Sequence, residues 1–217
     1  MSDQPTSLFS TGPGPGSGSG YGTAGSTPGS GLGGANTQPL DRPKRRELTW
    51  NGGTDFGLVL LRFAVGGVFF AHGAQKVFGL WGGPGIGAFT RTLDGYGYGN
   101  TGVLVWVASI GEMVGGAAVV LGLLTPLAAA SLLAIAINAV LLNAHNGFFI
   151  AGPAGAGAVE FDVVLGMAAA AIVLTGPGHI ALDNGRTWHR RPAPWGVLFL
   201  VVGVAAGLLV FFLLRQR

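Results

Sequence analysis

Three cations, Arg62, His72 and Lys76, sit within one apolar stretch, residues 61–79. An ionisable group in hydrocarbon costs a few kcal/mol or more, so such groups face partners or water and mark function or packing. The acids that can answer them are few. Asp94, Glu112, Glu160, Asp162 and Asp183 are the acids beyond the start of that stretch, and of these Glu112 alone stands in the middle of another apolar run. Counting depth along the helices at about 1.5 Å per residue places Glu112 between Arg62 and His72. A structural buried ion pair, Arg62–Glu112, is therefore expected.

A second group has a different chemistry. His72 and Lys76 are four residues apart and adjacent on a helix, and with His145 and Glu160 they fall at the same, outer ends of their apolar runs. These four are expected to line a polar pocket able to bind a polar head group or relay a proton. The bland alternative for Glu160 and Asp162 is that they complement the positive N-terminal dipole of their own helix. Two histidines and a carboxylate can ligate a metal, but no HxxxH or ExxH spacing occurs, so no metal site is expected.

The elements that position these groups follow from composition. The chain has 217 residues, 49% hydrophobic and 10% charged, against about 25% charged in soluble domains. This is the composition of an all-α integral membrane protein. Apolar runs at 56–78, 102–124, 127–144, 159–174 and 195–214 are the expected spans, the third and fourth being the shorter ones. About 20 residues are needed to cross. Thr54 and Asp55 are candidate caps for the first, Asn100 or Thr101 for the second, and Thr125-Pro126 opens the third. The sequence 176–178, Gly-Pro-Gly, stops the fourth.

Residues 1–40 are Gly-, Ser- and Pro-rich and cannot bury enough surface to offset the entropy of ordering, so a disordered tail is expected. No strand leads into its glycines and no helix opens from them, so they do not read as a phosphate loop. The first apolar run begins too late for a cleaved signal peptide to be expected. Basic residues at 42–46 and 186–191 flank apolar runs. They read as cytoplasmic collars facing anionic lipid and not as a nucleic-acid surface, which places the N-terminus inside and the chain in a cell membrane. The chain has no cysteine, which removes disulfides, thiolate metal sites and thiol nucleophiles.

The order of motifs resembles the DoxX/DoxD family of small bacterial membrane proteins. The residues carrying the likeness are Leu61-Arg62, Ala71-His72-Gly73-Ala74-Gln75-Lys76, Glu112-Met113-Val114-Gly115-Gly116, Leu121 to Thr125, Asn143 to Phe148, Glu160, Gly176-Pro177-Gly178 and Leu182-Asp183. The resemblance implies a four-helix transmembrane bundle, and here a fifth C-terminal helix is added. The expected organisation is a tail with its collar at 1–50, the bundle at 51–185, and a basic loop with the fifth helix at 186–217. Founding members of the family were described as subunits of a quinol oxidase or of a thiosulfate:quinone oxidoreductase, and others are linked to oxidative-stress assemblies. The resemblance thus implies a subunit of a membrane redox complex, with quinone as cofactor, other proteins as partners and the lipid bilayer around it. A non-catalytic anchor or accessory subunit is the alternative, and a small-molecule carrier a third. A pocket open to lipid favours quinone, polar paths to both sides favour a carrier, and no pocket favours the anchor.

Overall fold

The computed structural model describes residues 51–152 and 155–215, with the side chains of 156, 189 and 190 left aside. The expectation of a disordered tail with its basic collar falls outside these residues. Within them the regular elements are helical: α1 Gly52–Phe78, α2 Gly85–Gly95, α3 Thr101–Leu121, α4 Thr125–Asn143, α5 Glu160–Thr175, α6 Thr187–Arg190 and α7 Pro192–Leu214.

Four of them are long and apolar enough to cross a bilayer. These are α1, α3, α4 with its following turn, and α7, with mean hydropathy from 1.6 to 3.1. The expected fourth span is the exception. Helix α5 has 16 residues, which rise about 24 Å against a hydrocarbon core of about 30 Å. It nevertheless joins the two ends of the bundle. At the end where α1 begins, His179, just past α5, donates its backbone N–H to Asp55 at 2.8 Å. At the other end Tyr96 donates to Asn143 at the close of α4, and Gly99 donates its N–H to the Leu214 carbonyl at the close of α7. The five long helices therefore alternate in direction.

Local chemistry sets the helix limits. Asn51 caps α1, its side-chain oxygen accepting from the N–H groups of Gly53 and Thr54, so the cap lies three residues before the expected Thr54. Asp55 turns instead to His179. The N-terminus of α4 is capped from a distance. Asp183, fully buried, accepts from the backbone N–H groups of Leu124 and Thr125 at 2.9 and 2.7 Å and from the Thr125 hydroxyl. That carboxylate satisfies the orphan donors of a helix start and ties the loop after α5 across the bundle.

Helix α2 falls in a stretch expected to be an outer loop. It is amphipathic: Ile86, Phe89 and Leu93 recur at helical spacing and pack with Tyr98 and Val105. The main core is apolar, with Val65, Phe69, Val119, Leu132, Leu133 and Ile172 among its buried members.

The closest packing is between α1 and α3. A Cβ placed on Gly66 would stand 2.5 Å from the Gly116 carbonyl oxygen, and one on Gly116 would stand 2.5 Å from the Gly66 carbonyl. Neither position tolerates a side chain without separating the helices. Gly67, next to Gly66, meets nothing within 4 Å. Gly116→Val is expected to lower the melting temperature of the detergent-solubilised protein sharply, since overpacking costs about 1–3 kcal/mol, whereas Gly67→Ala leaves it unchanged or higher. Equal melting of the two variants would contradict the contact.

Candidate polar site at the Lys76 end

The α1–α3 contact fixes which polar residues share a level. Gly66 faces Gly116 and Val120, and Gly73 faces Ser109 and Met113. Glu112 thus lies level with the Gly73 turn, and Arg62 lies level with Gly122 at the far end of α3. Helical side chains lean toward their own N-terminus. On antiparallel helices, Lys76 and Glu112 therefore lean past each other and meet.

They form a salt bridge, Lys76 Nζ to Glu112 Oε1 at 2.5 Å, with the Lys76 side chain 22% exposed and that of Glu112 only 3%. The expected Arg62–Glu112 pair is not formed. Depth counted from the start of α3 misplaces Glu112, because α3 begins beyond the level at which α1 ends. Arg62 is buried at the opposite end, where its guanidinium donates to the Ile180 carbonyl and lies in the field of Asp183. Gly122, at a φ of 68°, lets the chain turn directly against that guanidinium. A side chain there would meet both an unfavourable backbone conformation and Arg62.

The other expected pocket residues separate. His72 lies near enough to Lys76 to feel its charge, and its ring is tilted against Phe161 with centroids 6.2 Å apart. Glu160 turns to the preceding loop and accepts the Ile150 N–H at 2.9 Å. His145 is exposed in the short turn Ala144–Asn146. Among the described residues, no hydrogen bond or ion pair joins His72, Lys76, His145 and Glu160.

What gathers around Lys76 is a different set. Asp162 of α5 lies in the field of Lys76, against the side chain of Asn143, and its charge acts on Glu112. Asn143 accepts a hydrogen bond from the Tyr96 hydroxyl at 3.0 Å. Phe89 of α2 covers Lys76 from outside, its ring centroid 4.6 Å from Nζ, a cation–π contact. Glu112 Oε2 is buried with no protein donor. The cluster is thus one ammonium between two carboxylates, capped by an aromatic ring and edged by an amide and a phenol.

The sequence carries a signal for Asp162 over Glu160. The buried residues of α5 are Leu165, Gly166, Ala169, Ile172 and Val173. Stepping back three or four residues from Leu165 or Gly166 reaches 162 and not 160. Glu160 and Asp162, two apart, point in different directions, and only Asp162 continues the inward stripe.

Residues 57–146 match the DoxX family model, a stretch covering α1 to the end of α4 and its following turn. No curated protein matches the chain, and no solved structure does.

The pairing makes a definite prediction. Lys76→Met leaves Glu112 buried without its cation, a loss of about 3–5 kcal/mol in soluble proteins and less where lipid and water defects relieve the charge. In a double-mutant cycle read by thermal melting, Lys76→Met and Glu112→Leu are expected to be strongly non-additive, the pair recovering much of the single losses. Arg62→Met and Glu112→Leu are expected to add. The reverse pattern would restore the Arg62 pairing.

Proposed function

We propose that this DoxX-like membrane protein is a subunit of a redox assembly at the quinone pool, and that its Lys76 end receives the quinone head group. One observation carries the reading: an apolar groove of about 260 Å³ runs between α4 and α5, lined by Leu133, Ile137, Val140, Gly166 and Met167, and Asp162 is the charged residue in it. A groove of this kind suits an amphiphile with a hydrocarbon tail and a head that donates a hydrogen bond. A quinol has both. Its hydroxyl would donate to Asp162, while Lys76 beside it would favour the carboxylate. The buried Glu112 oxygen without a donor offers a second acceptor behind the first.

The same reading extends to topology. All five long helices cross, α5 being completed by the loops at its two ends. The start of α1 and the loop bearing Arg186 lie at one end, and with the basic residues 42–46 they place that end in the cytoplasm of a cell. The Lys76 end then faces outward.

A non-catalytic accessory subunit is the second reading. A larger groove of about 550 Å³ between α3 and α4 is lined by Gly111, Gly115, Ala118 and Ala128 and carries no charge, which suits a partner helix. The carrier reading finds less support, because the apolar core separates the polar clusters at the two ends.

Binding of a short-chain quinol to the purified protein in nanodiscs tests the first reading. Wild type is expected to bind saturably. Asp162→Asn is expected to bind roughly tenfold or more weakly, as loss of a charged hydrogen-bond acceptor implies, with its melting temperature kept. His145→Gln is expected to bind as wild type. No saturable binding to wild type, or equal binding by Asp162→Asn, would leave the accessory-subunit reading.

A further inference from the structure

Asp162 does not set its own geometry. Its side chain lies against the amide of Asn143, and an amide can present either its oxygen or its nitrogen to a neighbour. Only the nitrogen end donates to a carboxylate. Which end Asn143 presents is fixed by its other partner. The Tyr96 hydroxyl donates to Asn143 Oδ1 at 3.0 Å, and this turns the amide nitrogen toward Asp162.

Tyr96 is in turn clamped by the far end of the chain. Its carbonyl accepts from Arg215 Nε at 3.0 Å. Three residues on, Gly99 donates its N–H to the Leu214 carbonyl at 2.8 Å. The neighbouring Tyr98 pairs with Arg215 in a single antiparallel bridge and donates its own hydroxyl to Asn138 at 3.0 Å. Asn138 then donates to the carbonyls of Ala134 in α4 and Gly207 in α7. Burial pushes the Tyr98 phenol above its ordinary value, with Arg215 opposing the shift, so this hydroxyl stays a donor. The end of α7, the loop at 96–99 and the last turns of α4 are thereby one hydrogen-bonded unit. Arg215 and the rest of α7 lie outside the residues that match the family model.

We propose that Tyr96 is a positioning residue for the site at the Lys76 end: held by the C-terminal end of α7, it orients Asn143 so that the amide donates to Asp162. Asp162 is the group that meets a ligand. Tyr96 and Arg215 act through Asn143 and the backbone of the loop. The functional consequence rests on the quinol reading of Asp162, but the coupling itself is a property of the protein alone and is measured without quinone.

The test uses the full chain in nanodiscs and a hydrophobic carbodiimide, which enters from lipid and attacks protonated carboxyl groups. The rate of adduct formation at Asp162 is read by peptide mass spectrometry, with melting temperature recorded alongside. Removing the amide donor makes the carboxylate easier to protonate. Tyr96→Phe and Asn143→Leu are therefore each expected to speed labelling of Asp162 by roughly tenfold, the worth of one hydrogen bond to a charged group. Arg215→Gln is expected to speed it by less. The double variant Tyr96→Phe/Asn143→Leu should label no faster than Asn143→Leu, because Tyr96 acts through Asn143. A merely structural Tyr96 would lower the melting temperature and leave the Asp162 rate unchanged. A wild-type rate in Tyr96→Phe, additive effects in the double variant, or no reaction at Asp162 in any variant would overturn the proposal. Loss of quinol binding in wild type would defeat the functional reading and leave these rates as they are.

Discussion

The contact between Gly66 and Gly116 is the constraint from which the rest of the bundle follows. Two helix backbones touch there with no side chain between them. Such contacts replace, inside a bilayer, the hydrophobic drive that packs helices in water. A backbone contact has a single register, since a shift of one residue puts a side chain where only a hydrogen fits. That register brings Glu112 to Lys76 and Arg62 to Gly122. The ionic pairing is therefore an outcome of steric fit. In an apolar medium the cost of an unpaired charge then makes any other register worse, so packing and electrostatics specify the same arrangement.

The two ends of the bundle resolve their buried charges differently. At the Arg62 end the solution is closed. Asp183 is saturated by two backbone N–H groups and a hydroxyl, and Arg62 finds the Ile180 carbonyl. Every partner comes from a turn or a helix terminus, so the charges there hold the loop after α5 across the ends of α1, α3 and α4. At the Lys76 end the solution is open. Two carboxylates share one lysine, an oxygen of Glu112 has no donor, and Asp162 reaches a lipid-facing groove. A saturated network is a scaffold, and an unsaturated one retains binding capacity.

Much of the architecture was legible in the sequence because membrane insertion imposes long apolar runs. The limits expected for α1, α3, α4, α5 and α7 lie within a few residues of those found. Helix α2 was hidden by the glycines and aromatics around it, which read as loop although Ile86, Phe89 and Leu93 carry a helical period. The residues of the site were legible as a class but not as partners. Lys76 and Glu112 were both singled out, yet apolar runs carry no mark of where one helix begins relative to another, and an offset of about one helical turn exchanges the partner. Glu160 and Asp162 show the same limit. Both open α5, and only the inward stripe of that helix separates them.

The shortness of α5 has a consequence for the open site. A helix of 16 residues starts about 6 Å inside a 30 Å hydrocarbon core if its other end is at the interface. Its first turn, which carries Asp162, then lies at the depth of the Lys76–Glu112 pair and not in the headgroups. The free N–H groups of that turn favour a negative charge there. They favour it at a position open to the groove between α4 and α5, where lipid tails have access. A longer α5 would carry its first turn out into water and leave the groove without a carboxylate. The short helix is thus what sets an ionisable group beside an apolar channel, and Tyr96 and Asn143, reaching in from the neighbouring elements, are placed to hold that group in one orientation.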